Sequence, residues 1–97
     1  MLIVTAKMNS KAGKRKEVLE AVQTIIRETR KESGCIYYTL YASTENENEL
    51  MFYEIWEDKN ALDSHVNTPH FAGFKEIEEN YLTEKLDIAV YTVKKES

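Results

Sequence analysis

Hydrophobic and polar positions alternate along this chain with two different periods. Residues Leu2–Met8 (LIVTAKM) alternate with period two and are rich in β-branched side chains, which is typical of a β-strand. Between Lys14 and Ser33 the apolar positions instead recur every three or four residues, and charged side chains fill most of the remainder. This spacing predicts an amphipathic helix, and Gly34 stands where a left-handed residue would end it.

A tyrosine-rich hairpin and two further helices are predicted for the rest of the chain. Cys35–Tyr41 and Leu50–Glu57 have the composition of strands, and the polar segment between them predicts a turn. Asp58 is suited to cap a short helix, and Thr68 followed by Pro69 is suited to start another. The remaining signals are the end of the short helix at Val66, an apolar helix face at Phe71, Phe74, Ile77 and Tyr81, and a last strand at Leu86–Val93.

The order of these elements is βαββαβ, which predicts an α+β protein of the ferredoxin-like type. Such a fold has a four-stranded antiparallel sheet with its helices on one face. The uncovered face should be polar, yet the third strand carries Phe52 on one parity and Tyr53 and Ile55 on the other. We therefore expect a second copy of the chain to cover this face, giving a homodimer, the dimeric α+β barrel.

Length and charge limit the class of protein. Ninety-seven residues with 42% hydrophobic content suit one domain covering residues 1–97. The chain has 13 basic and 17 acidic residues, and no basic stripe runs through aromatic residues, so we expect no nucleic acid partner. No apolar run approaches the length of a membrane span, and Met1 leads directly into a strand pattern. We therefore expect a cytoplasmic protein with no membrane partner.

The rarest side chains are gathered in one stretch, EIWEDKNALDSHVNTPHF (Glu54–Phe71). It holds the only tryptophan, both histidines and the only proline. His65 and His70 are five residues apart, which does not match the i, i+3 or i, i+4 spacing of two metal ligands on one helix, and no acidic cluster flanks them. None of the three glycines belongs to a G-x-G-x-x-G turn. We therefore expect neither a metal site nor a bound cofactor.

Two segments resemble one known family, the antibiotic-biosynthesis monooxygenase domains, and within it the bacterial quinol monooxygenase-like members. They are ESGCIYYTLY (Glu32–Tyr41) and YEIWEDKNALDSHVNTPHF (Tyr53–Phe71). The family pattern is Glu-x-Trp on the third strand, a His about nine residues later, and a Thr/Ser-Pro-His-aromatic helix start. Glu54, Trp56, His65 and Thr68–Phe71 match this pattern. The resemblance implies a monooxygenase of quinols or related phenolic compounds that works without a cofactor.

A cofactor-free oxygenase is chemically feasible when the substrate is easily deprotonated. Removing a proton from a hydroquinone or polyphenol gives an electron-rich anion that can pass an electron to dioxygen. The protein must supply a base with a pKa near neutrality, donors for the phenolate oxygen and a dry aromatic pocket. We therefore expect a small aromatic substrate and dioxygen as the partners.

The candidate catalytic residues are His65 and Glu54. Histidine titrates near neutral pH, which suits a base, and Glu54 is an acid on an apolar strand face that needs a partner such as this histidine or a substrate hydroxyl. We expect Glu54 to orient His65 at direct or one-water hydrogen-bond distance. The expected substrate-binding residues are Tyr53, Trp56, His70, Phe71 and Phe74. Glu54, Trp56, His65 and His70 are expected to line one pocket.

Each of these residues also has a purely structural explanation. A cationic His65 favours the dipole at a helix end, a strand tryptophan is commonly part of the core, and Glu54 could form a salt bridge. Two other functions therefore stay open. One is an isomerase or degrader of a small polar metabolite that uses His65 and Glu54 as acid and base. The other is a non-catalytic dimeric module that binds a small ligand.

Overall fold

The computed structural model describes residues 1–94 and residue 96. In these residues the chain forms four strands and three helices: β1 (Leu2–Asn9), α1 (Arg15–Thr29), β2 (Cys35–Ala42), β3 (Glu49–Trp56), α2 (Lys59–Val66), α3 (Pro69–Tyr81) and β4 (Asp87–Thr92). All the predicted elements are present, and only the end of α1 departs clearly from its predicted boundary. None of the helices in this described part combines the length and the apolar composition needed to cross a membrane.

The four strands form one antiparallel sheet in the order β2-β3-β1-β4. Leu2 of β1 lies opposite Trp56 of β3 on one side and opposite Thr92 of β4 on the other. Helices α1 and α3 pack against each other and cover the inner face of the sheet. This topology confirms the predicted ferredoxin-like α+β fold.

Helix α1 contacts the sheet through a single buried stripe that recurs every three or four residues, made of Val18, Val22, Ile25 and Thr29. The helix ends at Thr29 rather than at the predicted Ser33, because the backbone tightens there. The Glu32 N–H donates to the Thr29 carbonyl, three residues back, at 3.0 Å. Glu32 consequently lies in a turn between α1 and β2 and not on the helix.

Gly34 closes this turn with a φ of +87°, so the predicted left-handed glycine is present, although it does not directly cap the helix. A Cβ atom at this position would lie 2.5 Å from the Cβ of Ala61 on α2. The Gly34 carbonyl also accepts from the Glu57 N–H at 2.8 Å. The absence of a side chain at Gly34 therefore allows α2 to approach the start of β2.

Side-chain caps fix the starts of α2 and α3, as predicted. Asp58 Oδ1 accepts from the Ala61 N–H at 2.8 Å, and Thr68 Oγ1 accepts from the Phe71 N–H at 3.2 Å. The Thr68 hydroxyl also donates to the carbonyl of His65 at 2.7 Å. The end of one helix is thereby tied to the start of the next.

The core lies between the inner face of the sheet and the helices. Every second residue of β1 and β3 is buried on this face: Leu2, Val4, Ala6, Met8, Leu50, Phe52, Glu54 and Trp56. Ile88 and Val90 of β4 point the same way, because they lie opposite Ala6 and Val4 in the antiparallel register. They nevertheless remain 49% and 52% exposed, so the helices leave this edge of the inner face open.

The outer face of the sheet is not covered by any element of the described chain. Tyr37, Tyr41 and Tyr91 on this face are 38%, 47% and 53% exposed. Tyr53 and Ile55 of β3 are half-buried between them. A row of exposed tyrosines beside apolar side chains is the kind of surface that another protein commonly covers.

We expect the protein to be a dimer at micromolar concentration, with well over about 1,000 Å² buried on the outer sheet face. Tyr53→Arg at the centre of this face should dissociate the dimer and leave a folded monomer, because the added charge would be buried only in the dimer. Sedimentation equilibrium measures both masses. Gln23→Arg, at an exposed position of α1, is the matched control and should stay dimeric. A monomer mass for the unchanged protein would contradict this expectation.

Candidate active site

A small cavity of about 80 Å³ lies between the inner sheet face and helices α2 and α3. Its wall is apolar except for three side chains, Tyr38, Glu54 and His65. The lining residues are Val4, Ala6, Tyr38, Phe52, Glu54, Leu62, His65, Val66, Phe71, Phe74, Leu86, Ile88 and Val90. The exposed side chains of Ile88 and Val90 place its mouth at the β4 edge.

The strand register explains the shape of the cavity floor. Tyr38, Glu54, Val4 and Val90 lie opposite one another in a row that crosses all four strands. In the next row Ala6 lies between Phe52 and Ile88. A methyl side chain between two larger ones leaves the space that forms the cavity beside Glu54.

Glu54 is an acid in an apolar environment, with only 4% of its surface exposed. Its Oε1 accepts a hydrogen bond from the indole Nε1–H of Trp56 at 2.9 Å. Burial raises the pKa of Glu54 to about 7; the hydrogen bond from Trp56 opposes this shift, and the nearby charge of Glu32 adds to it. In the described chain the only fully buried side-chain polar atom without a partner is Thr29 Oγ1. Glu54 lines the cavity, so its carboxyl group is available to a bound molecule.

His65 is held between an aromatic ring and a carboxylate. The ring of Trp56 packs against the imidazole at a centroid distance of 4.5 Å, and His65 Nδ1 contacts Glu32 Oε2 at 2.8 Å. Burial lowers the pKa of His65, and the contact with Glu32 opposes this shift. Because a carboxylate only accepts hydrogen bonds, the neutral imidazole carries its proton on Nδ1. The lone pair of Nε2 is then left for the cavity that His65 lines.

Glu32 also contacts the second histidine. His70 Nε2 lies 2.6 Å from the same oxygen, Glu32 Oε2. One carboxylate in the turn after α1 thus joins the end of α2 to the first turn of α3. Sequence reasoning missed Glu32 as a site residue, although it begins the segment ESGCIYYTLY that carries part of the family resemblance.

The structure separates the predicted site residues into two groups. Glu54, His65, Phe71 and Phe74 line the cavity, as expected. Trp56, His70 and Tyr53 do not line this cavity. The expectation that Trp56 and His70 share one pocket with Glu54 and His65 is therefore wrong, and the substrate-binding roles stay predictions.

These three residues lie outside the cavity for different reasons. Trp56 is fully buried behind Glu54 and His65, His70 lies beyond Glu32, and Tyr53 points to the outer sheet face, where its ring meets Tyr37 at 6.0 Å. Glu54, Trp56, His65 and His70 are joined in one chain of contacts through Glu32, but only Glu54 and His65 line the cavity.

Two further expectations are affected by the structure. The described residues show no direct hydrogen bond between Glu54 and His65, because Glu32 contacts His65 Nδ1 and Glu54 accepts from the indole N–H of Trp56. A contact between Glu54 and His65 through one water molecule stays a prediction. The spacing of His65 and His70 was also expected to keep them from one metal ion. They lie on different helices, and with Glu32 they bring three possible ligand atoms within 4.8 Å of one another.

Comparison with known proteins finds one matching family and several similar proteins. The model of the family "Antibiotic biosynthesis monooxygenase" matches residues 1–77. A Bacillus subtilis protein named "Putative monooxygenase YcnE" is 32% identical over 88 residues, which cover 91% of this chain and 93% of that protein. A Synechocystis protein named "Uncharacterized protein sll1783" is 33% identical over 92 residues, or 95% of this chain. The chain spans only 63% of the length of this last relative.

Solved structures show the same fold. A crystal structure of a conserved protein from Methanosarcina mazei superposes with a TM-score of 0.89 at 33% sequence identity, covering 96% of this chain and 92% of that one. The structure of Rv0793 from Mycobacterium tuberculosis gives a TM-score of 0.89 at 27% identity, covering 99% and 97% of the two chains.

The raised pKa of Glu54 predicts how stability changes with pH. An acid whose pKa is raised from 4.5 to about 7 on folding binds more protons in the folded state, so its ionisation lowers the free energy of unfolding as the pH rises through that window. We compare the free energy of unfolding of the unchanged protein with that of Glu54→Gln. The difference, unchanged protein minus variant, should fall by up to about 3 kcal/mol between about pH 4.5 and 8. Urea denaturation of both proteins measures this difference.

The glutamine keeps an oxygen that accepts from Trp56, so the substitution removes the charge and preserves the hydrogen bond. Glu47→Gln, the same change at an exposed position, is the matched control. A difference between the two proteins that stays constant with pH would show that Glu54 has an ordinary pKa.

Proposed function

The chain belongs to the antibiotic biosynthesis monooxygenase family, and from that premise we propose that it oxidises a quinol or a related phenolic compound with dioxygen. One observation supports this function above the others. A neutral imidazole, held by Glu32 through Nδ1, faces an apolar cavity that also contains the buried acid Glu54. This arrangement suits the removal of a proton from a hydroxyl group that is shielded from water.

In the first step His65 Nε2 takes the proton of a substrate hydroxyl. The lowered pKa of His65 keeps the imidazole neutral and therefore able to accept a proton near pH 7. The Glu32 carboxylate stabilises the imidazolium that forms, because it already accepts the Nδ1–H hydrogen bond. Proton transfer thus leaves an electron-rich phenolate in the cavity and a cation beside Glu32.

In the second step the phenolate reacts with dioxygen. It passes one electron to dioxygen, and the two radicals combine at a ring carbon beside the oxygen-bearing one to form a C–O bond. The imidazolium of His65 returns its proton to the outer peroxide oxygen. The O–O bond then breaks, the ring C–H hydrogen leaves as a proton, and the outer oxygen departs as water. A quinol and dioxygen thereby become a hydroxyquinone and water, and the substrate supplies all four electrons.

In the proposed reaction Glu54, which lines the same cavity as His65, contacts the reacting oxygens. With a pKa of about 7, a large share of its carboxyl groups are protonated near neutral pH and can donate a hydrogen bond to the phenolate or the peroxide. Trp56 keeps this carboxyl in place through its bond to Oε1. We therefore assign substrate binding to Glu54 in place of the orienting role expected from the sequence.

The apolar wall has its own part in the reaction. Phe71 and Phe74 lie with their ring centroids 5.6 Å apart and offer a surface for an aromatic substrate. The same side chains keep water away from the anion and the peroxide. The mouth beside Ile88 and Val90 gives the substrate an apolar entry.

Oxygen uptake by the metal-free protein tests the proposed function. A set of quinols and polyphenols is supplied with and without dioxygen, and labelled ¹⁸O₂ follows the oxygen atoms. We expect one labelled atom in the product, one in water, and no turnover without dioxygen. Conversion under anaerobic conditions would instead identify an isomerase or another oxygen-independent enzyme, and binding of phenols without conversion would identify a ligand-binding module.

His65→Ala should lower the turnover of an accepted quinol by roughly 10²- to 10⁴-fold, because it removes the base. The fold and the oligomeric state should be unchanged, as judged by circular dichroism and sedimentation. Asp63→Ala, at an exposed position of the same helix, is the control and should keep full turnover. Unchanged turnover in His65→Ala would refute the role of His65.

Glu32→Ala, which leaves no acceptor for the Nδ1–H of His65, should lower kcat more than it raises KM, because Glu32 acts on His65 and does not line the cavity. The decrease in kcat should be at least about 10-fold but smaller than the decrease in His65→Ala, since the base remains but its proton is no longer held on Nδ1. The ¹⁵N chemical shifts of the imidazole nitrogens should show mixed tautomers in this variant. A lower kcat with the tautomer of His65 unchanged would contradict the positioning role.

A further inference from the structure

We propose that Glu32, His65 and His70 form a binding site for one divalent transition-metal ion such as Zn²⁺, and that the bound ion blocks His65 as a base. The three ligand atoms are Glu32 Oε2, His65 Nδ1 and His70 Nε2, and all lie within 4.8 Å of one another. The second half of the proposal rests on the proposed function, whereas the first half does not.

The spacing of the ligand atoms is close to what an ion requires. The two nitrogens lie 2.8 Å and 2.6 Å from the shared carboxylate oxygen. Ligands at about 2.0–2.2 Å from one Zn²⁺ ion stand roughly 3.0–3.5 Å apart, so each nitrogen has to move away from the oxygen by less than about 1 Å. The two nitrogens lie within 4.8 Å of each other, so rotations of the side chains have to bring them closer by less than about 2 Å.

The chemistry of the ligands also suits such an ion. Two imidazoles and one carboxylate are ligands that zinc, nickel, copper and iron accept. In the described chain the ion-pair partners of Glu32 are only His65 and His70, and no lysine or arginine neutralises it. A metal ion would supply that positive charge. The side chains of Glu32 and His70 are 13% and 15% exposed, which gives the ion access from the surface.

The position of the site determines its effect on the reaction. Nδ1 of His65 points to Glu32, whereas Nε2 is the atom assigned to the cavity. An ion on Nδ1 therefore does not touch a substrate in the cavity. A neutral imidazole bound to metal through Nδ1 carries its proton on Nε2. His65 then has no lone pair facing the substrate and cannot take its proton.

Zn²⁺ titration of the metal-free protein tests the site without any assay of activity. Calorimetry should show one ion bound per chain. Because the chain has only two histidines, their ¹⁵N signals can be followed separately. We expect the proton of His65 to move from Nδ1 to Nε2 and that of His70 from Nε2 to Nδ1. Binding that leaves both tautomers unchanged would overturn the proposed site.

His70→Gln and Glu32→Gln each remove one ligand. Altering a group that merely supports a metal ligand costs about 10- to 100-fold in affinity, so losing a ligand should weaken Zn²⁺ binding by at least about 100-fold. Glu28→Gln is the matched control, because it removes the same charge four residues earlier in the chain, from a carboxylate paired with Lys31. An equal loss in Glu28→Gln would show nonspecific attraction and overturn the site.

Oxygen uptake with and without saturating Zn²⁺ tests whether the bound ion blocks His65 as a base. In the unchanged protein the rate with Zn²⁺ should be at least about 10-fold lower than the rate without it, because general-base catalysis is lost. In His70→Gln the ratio of the two rates should stay near one. Suppose that Zn²⁺ changes the tautomers of both histidines but leaves the ratio of the rates near one in the unchanged protein. This result would overturn the proposed inhibition of His65 and would still support the metal site. A protein that takes up no oxygen with any quinol would count against the proposed function alone, since the titration still tests the site.

Discussion

Two polar side chains buried in an apolar interior, Glu54 and His65, determine what this site can do. Burial penalises the charged form of each, which raises the pKa of Glu54 and lowers that of His65. Each therefore needs a partner inside the protein, and among the described residues Trp56 serves Glu54 and Glu32 serves His65. Both side chains line the same cavity. The partners thus fix the orientation of both groups and leave their reactive atoms free.

The shared carboxylate of Glu32 is the contact on which the geometry of His65 depends. It joins three elements, the turn after α1, the end of α2 and the first turn of α3. The helix caps at Asp58 and Thr68 and the close approach at Gly34 bring these elements together. A general ferredoxin-like scaffold therefore becomes a specific site through a few local features, and the fold alone does not determine the reaction.

The fold could be predicted from the sequence because one-sided burial leaves a regular pattern. The alternation in β1 and the stripe of α1 each follow from a single buried face. The parity of β3 is ambiguous in the sequence, because Tyr53 and Ile55 on the outer face are aromatic or apolar, as Phe52 is on the inner one. Tyr53 lies on the outer face and not at the cavity, whereas Phe71 and Phe74 on one helix face line the cavity.

The partners within the site could not be predicted in the same way. Glu32 lies 33 and 38 residues before the two histidines it contacts, in a turn whose course depends on tertiary packing. The spacing rule for two histidines applies to a single helix, and here a connection between α2 and α3 separates them. Hydrophobic periodicity in the sequence indicates which residues are buried. It does not indicate which side chains far apart in the chain are in contact.

In the proposed reaction a substrate hydroxyl binds at Nε2 of His65 inside the apolar cavity. A crystal structure of the complex with a quinol, prepared without dioxygen, tests it most directly. We expect the ring to lie against Phe71 and Phe74, with one hydroxyl oxygen within about 3.2 Å of His65 Nε2. A quinol bound outside the cavity, or with both hydroxyl groups directed away from His65, would contradict it.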